Sequence, residues 1–206
     1  LAITGATTIN AGTADITLDQ AASTFGALAL TGANVAVTEN AATDLAASTV
    51  SGTLGITSTG AVTDSGTLAI TGATTISASG QDITLDQAAS TFGSLLLTGA
   101  NVAVTDAGAT DLGASTVSGT LGITSAGAVT DSGTLAVTGA TTISASGQDI
   151  TLDQAASTFG SLLLTGANVA VTDAGATDLG ASTVGGTLGI TSAGAVTDSG
   201  TLAITG

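Results

Sequence analysis

LLLTGANVAVTD at 95–106, LGITSAGAVTD at 121–131 and TTISASGQDIT at 74–84 share one grammar. Each runs apolar, any residue, apolar, hydroxyl, with Thr74 standing at the first apolar place of its stretch. A turn of small residues follows, then apolar and hydroxyl again. Alternation with period two sends Leu95, Leu97, Val102 and Val104 to one side of a strand, and Thr98 and Thr105 to the other. By the same rule Leu121, Ile123, Val129, Ile76 and Ile83 point inward, while Thr124, Thr130, Ser77 and Thr84 point outward. A third short strand ends near Val117, Val137 and Phe159. Helix is the poorer reading, because Gly recurs every few residues, β-branched residues dominate and the Glu and Lys of a helix surface are almost missing. Three short strands divided by Gly, Ser, Ala and Asn turns describe one coil of a parallel β-helix.

The coils belong to a longer period. LAITG opens at Leu1, Leu68 and Leu202, and LAVTG at Leu135, so the motif returns at equal steps along the chain. From Thr71 to Thr201 the second and third copies differ only where Ser118 becomes Gly185. Residues 1–206 therefore read as a single solenoid array with repeats 1–67, 68–134 and 135–201, and 202–206 starting a fourth. The intervals from Phe92 to Val117, from Val117 to Val137 and from Val137 to Phe159 are unequal, the first being the longest. This spacing predicts three unequal coils per repeat and about nine in total, wound right-handed as parallel crossovers nearly always are. At ~4.8 Å per coil the repeat would advance ~14 Å and the chain ~45 Å. An outer-membrane barrel is rejected: Trp and Tyr are absent, and the strands are about half the length a membrane strand needs.

Composition removes whole classes of function. The chain has no Lys, Arg or His against fifteen Asp plus Glu. Nothing can neutralise phosphate, so nucleic-acid binding is excluded, and anionic membrane surfaces would repel the chain. No Cys is available for disulfide or thiol chemistry. No apolar run approaches a membrane-spanning helix, so membrane insertion is not expected.

Acidic residues recur at fixed places. Asp106 and Asp131 follow Thr at the end of a strand and precede Ala-Gly or Ser-Gly, where Asp ordinarily accepts a backbone N–H within the turn. No G-G-x-G-x-D nonapeptide for calcium occurs, so divalent cations are expected to bind weakly at the surface at most. Asp82 and Asp86 are the closest carboxylate pair in sequence, recurring as Asp15 with Asp19 and Asp149 with Asp153. Glycoside cleavage needs an acid and a base or nucleophile at a set separation in a pocket that makes them differ. A site copied in every repeat, with no Arg, Lys, His or Tyr to hold substrate, does not meet that need. The chain is expected not to be an enzyme, and no catalytic, cofactor-binding or metal residues are assigned. Phe25, Phe92 and Phe159, one per repeat, are expected in the core and not on an exposed sugar platform. The outward Thr rows raise ice binding as the alternative function, but regular T-x-T strands are missing: Leu96 and Gly122 stand two places before Thr98 and Thr124.

GTLAITGATTISASGQDITLDQ at 66–87, GSLLLTGANVAVTDAG at 93–108 and GTLGITSAGAVTDSGT at 119–134 resemble the repeat regions of filamentous haemagglutinin-like exoproteins. Those are very large bacterial surface or secreted proteins exported by two-partner secretion or as autotransporters. The resemblance implies a right-handed β-helical shaft, extracellular or on the cell surface, serving as an adhesin stalk or filament. Leu1 and Gly206 both fall in mid-pattern, so the expected partner is the protein itself. The repeats would continue in a longer chain, or copies would stack end to end, with lateral bundling once the carboxylates are neutralised.

Overall fold

The computed structural model describes residues 1–206 and contains twenty-seven strands and no helix. The strands pair in parallel and form one sheet of fifteen and one of twelve. The chain crosses between the sheets as it climbs. Val102–Asp106 lies in the larger sheet, Thr110–Leu112 and Ser115–Val117 in the smaller, and Leu121–Ser125 returns to lie directly on Val102–Asp106. The molecule is a parallel β-solenoid.

Alternation places the side chains as the sequence implies. Leu95, Leu97, Val102, Val104, Leu121, Ile123, Val129, Ile76 and Ile83 are all buried, within a single core cluster of 40 residues. Phe25, Phe92 and Phe159 belong to the same core. Each large apolar side chain removed from water contributes about 1.5–3 kcal/mol, and these residues stack turn upon turn without a break.

The number of turns differs from the expectation. Val137 lies directly above Val117, and Thr158 above Ala136, so the intervals from Val117 to Val137 and from Val137 to Phe159 are complete turns. The longer interval from Phe92 to Val117 is not one long coil. Thr91 bridges Ala69 in the larger sheet, whereas Ser115–Val117 lies in the smaller one. Within that interval the chain makes one tight turn, seating Leu112 directly over Leu95, and a further half turn. A repeat is therefore three and a half turns. Ala73–Ser77 lies in the smaller sheet, while the identical Ala140–Ser144 lies in the larger. From Thr7–Asn10 to Ala140–Ser144 the larger sheet rises seven steps over two repeats. At ~4.8 Å per turn the repeat advances ~17 Å and the ten or so turns of the chain ~50 Å. Successive repeats face opposite sides of the rod, and the same surface returns every second repeat.

One corner shows how local sequence sets local shape. In the second and third copies Gln81 and Gln148 donate to the carbonyls of Ala78 and Ala145, with Gly80 and Gly147 at φ 74° and 75° in the third position of the turn. The first copy reads NAGT from Asn10, moving its glycine one place earlier. Gly12 has φ 59°, no non-glycine residue has positive φ, and Asn10 caps the turn by accepting the Gly12 N–H at 2.9 Å. The corner is thus a type II-like turn in two copies and a II′-like turn in the first.

Candidate functional surface

Several of the carboxylates that looked like turn decorations on a surface are turned into the rod. Asp106 is buried; its Oδ1 accepts the Gly108 N–H at 2.8 Å and its Oδ2 accepts the Thr110 hydroxyl at 3.1 Å. That fits the expected cap of its own turn. Asp131 does something else. Its Oδ1 accepts the N–H of Asp153 at 2.8 Å, one turn further along the rod, with Gln154 N at 3.4 Å from Oδ2. Asp64 repeats the arrangement with Asp86 and Gln87. Sequence spacing could not reveal it, because the donors stand a whole turn away, across a turn boundary. Burial pushes the carboxyls of Asp64, Asp106 and Asp131 above the ordinary 3.8, against the opposing pull of these N–H donors.

In the first copy the place of Asp106 is taken by Glu39, and that of Gly108 by Ala41. A Cβ at Gly108 would lie 3.3 Å from the Asp106 carboxylate, a tight contact. Where Ala stands, the longer Glu39 accepts the Phe25 N–H at 2.7 Å.

The outer surface carries a second, unforeseen ladder. Asp82 Oδ1 accepts both the backbone N–H and the side-chain amide of Asn101, and Asn101 Oδ1 accepts the backbone N–H and hydroxyl of Thr120. Asp15, Asn34 and Thr53 repeat it, as do Asp149, Asn168 and Thr187. The glycine before each Thr is required: a Cβ at Gly119 would come within 2.3 Å of Asn101 Oδ1. The signal was present as Asp, Asn and Thr set at equal steps, each of which is one turn.

The ladder also accounts for the candidate acid pair. Asp82 and Asp86 flank the strand Ile83–Leu85, so their Cα atoms are about 13 Å apart at ~3.3 Å per residue. One bonds an asparagine on the turn above, and the other gives its N–H to the turn below. No three acidic side chains converge on a point. A shallow open groove is lined by Asp15, Thr17, Asn34, Ala36, Gly55 and Thr75, because Ala36 and Gly55 are small between two threonines. Of its polar groups, Asp15 and Asn34 are bonded to each other.

The hydroxyl rows form columns one side chain wide. Thr38, Thr57, Ser77, Thr98 and Thr116 stack on successive turns. The column two places away runs Ala36, Gly55, Thr75 and Leu96, so no second threonine file lies alongside to make a flat lattice.

No curated protein and no solved structure matches the chain. A repeat family matches all of it, in units 1–31, 32–98, 99–165 and 166–206, whose two complete members keep the period of the LAITG motif with a different starting point. The chain belongs to the family of repeats of unknown function (DUF5649).

Proposed function

We propose that this chain is a structural shaft, part of an extracellular or cell-surface filament or adhesin stalk, and that it has no catalytic role. The observation that carries this reading is the unbroken propagation of one core. The same inward residues and the same bonds between turns recur from copy to copy, so length is set by copy number alone. Asp64, Asp82 and Asp131 and their counterparts tie one turn to the next, and Asp106 caps its own turn. Small, uncharged or acidic outer residues keep neighbouring rods apart by repulsion. Absence of Lys and Arg leaves trypsin nothing to cut, a useful property outside a cell. The likeness in style to haemagglutinin-type repeats supports the same role. Ice binding is not carried forward, because it wants paired threonine files and these columns are single.

Small-angle scattering on chains of three and six repeats tests the shaft. Contour length should grow by ~17 Å per added repeat at constant cross-section, following the strand spacing. Compact scaling, with the cross-section widening as repeats are added, would overturn it. Antibody to the rod should label intact cells of the source organism; labelling only after permeabilisation would remove the surface location from the proposal.

A further inference from the structure

We infer that the rod pairs side by side with a second copy of itself, running antiparallel, through an uncharged sheet face that recurs with each repeat. The pairing rests on the shaft reading and supplies it with a lateral partner.

Gly122 points to that partner. It stands at an outward place inside the strand Leu121–Ser125, with Ala103 on the turn below and Thr142 on the turn above. Glycine inside a strand weakens it, and ordinarily marks a bulge, a bend or the close approach of another group. Pairing on both sides of Gly122 runs in unbroken register, so there is no bulge. Its φ is not positive, unlike that of Gly12, Gly80 and Gly147. A Cβ there would meet nothing nearer than the Val102 carbonyl oxygen at 3.7 Å, an ordinary contact. Its counterparts Gly55 and Gly189 have the same room, at 3.8 and 3.9 Å. Gly113 and Gly119 differ, since a Cβ at either would strike the turn below at 2.6 or 2.3 Å. Nothing inside the rod requires glycine at residue 122; a body approaching from outside does.

The rest of the face gives the shape of that body. Above Ala103 and Gly122 the same column continues with Thr142 and Leu163, so the outward side chains grow from turn to turn. The column beside it is hydroxyl throughout: Thr105, Thr124, Ser144 and Thr165. A twofold axis lying across the face inverts a second rod and lays each column against itself. Leu163 then meets Ala103, and Thr142 meets Gly122. Thr105 meets Thr165 and Thr124 meets Ser144, hydroxyl against hydroxyl. The contact is isologous, large side chains over small ones in both directions. A parallel neighbour turned about the rod axis would instead set Leu163 against Thr165 and hold the faces apart over Gly122. On the smaller sheet Ala36, Gly55, Thr75 and Leu96 repeat the column, and the first two floor the open groove described above.

Charge selects the same register. No outward residue on these four strands is charged, because Asp106 is turned into the rod. Asp82 and Asp86 flank the strand on the turn below, and Asp178 lies on the turn above. Inversion about the middle of the face sets neutral turns against neutral turns and acidic against acidic. The acidic turns hold rods apart at low ionic strength, and screening lets the neutral ones meet. Four turns by two columns cover roughly 19 by 14 Å at strand spacings. That is well short of the ~800 Å² per partner that a stable pair buries. The face returns every second repeat on each side of the rod, so weak contacts add along its length. Since successive repeats face opposite sides, each rod takes two neighbours and the product is a layer one rod thick.

Sedimentation velocity of the 206-residue chain reads the association as sodium chloride is raised to about 1 M, where the screening length is about 3 Å. Single rods should give way to side-by-side layers, visible in electron micrographs. Gly55→Thr with Gly122→Thr should lower the association several-fold. The guanidinium chloride midpoint of that variant should hold or rise, threonine being the better strand former. Adding Thr75→Gly and Thr142→Gly exchanges the sizes and should restore association. The chain has no cysteine, so disulfides read the orientation. Thr105→Cys mixed with Thr165→Cys should give mixed dimers several-fold in excess of either like pair. Parent rods that stay single in high salt, Gly→Thr variants that associate like the parent or unfold more easily, exchange without restoration, or like pairs as abundant as mixed ones would overturn the inference. None of these outcomes alters the length gained per repeat within one chain, so failure of the lateral contact and failure of the shaft remain distinguishable.

Discussion

Thr74 and Thr141 carry hydroxyls sealed in the core with no hydrogen-bond partner, each on the inward side of a strand where the other copies of the pattern hold leucine. Thr141 lies between Leu121 below and Leu162 above. A buried hydroxyl that bonds nothing loses its water and gains no replacement, which costs about 1–3 kcal/mol. Thr141→Val keeps the branched shape and removes that penalty. It should stabilise the rod by about 1 kcal/mol, read as a higher midpoint in guanidinium chloride at unchanged slope. A lower midpoint would mean that the hydroxyl has a partner and that this account of the position is wrong. The inward direction of residue 74 was legible in the alternation; the absence of a partner was not, since it depends on what the turns above and below present.

Turns are matched to one another by paired changes in size. A Cβ at Gly113 would fall 2.6 Å from Leu96 Cγ, and one at Gly180 2.7 Å from Leu163 Cγ. In the first copy the corresponding residues are Ala46 and Ala29, so the alanine is tolerated where the leucine is also shortened. The backbone bond at the site is the same in both, Gly113 N to Leu95 O at 2.8 Å and Ala46 N to Leu28 O at 2.9 Å. Gly113→Ala should destabilise the chain by about 1–3 kcal/mol through overpacking, and Leu96→Ala in the same molecule should recover about 1 kcal/mol or more of that. Denaturation of the two single variants and the double variant closes the cycle; additive effects would show that the two positions do not share the space. The contrast between copies stood in the sequence, but as two unrelated substitutions far apart along the chain. Strand identity and facing were readable because they depend on neighbours in sequence. Register between turns depends on the length of each corner, and the run from Phe92 to Val117 reads equally well as one long coil or as a tight turn followed by a half turn. Only the position of Thr91 and Val117 on opposite sheets separates the two, and it turns every second repeat through half a revolution.

A rod with fifteen carboxylates and no basic side chain would ordinarily be expected to lose stability in acid only where native carboxylates are held in their charged form. Here burial sets the opposite sign at three positions. Asp64, Asp106 and Asp131 have their carboxyls raised above 3.8 chiefly by desolvation, with Asp86 and Asp153 adding repulsion to the first and third. A carboxyl with a folded value above its unfolded one binds more protons in the folded state between the two. Stability is therefore lost as pH rises through the folded value and regained as pH falls through it. Mutual repulsion along the rod relaxes over the same range, since protonation lowers the net negative charge. The melting temperature should accordingly rise as pH is lowered from neutral into the range where these raised carboxyls take up protons. Asp64→Asn and Asp131→Asn retain an oxygen to accept the N–H of Asp86 and Asp153 while removing the buried charge. Each should melt higher than the parent at neutral pH and gain less on acidification, so that the difference from the parent narrows as pH falls. A parent melting temperature that falls steadily over this interval, or Asn variants that melt lower at neutral pH, would show that the charged carboxylate is worth more to the turn above it than its desolvation costs.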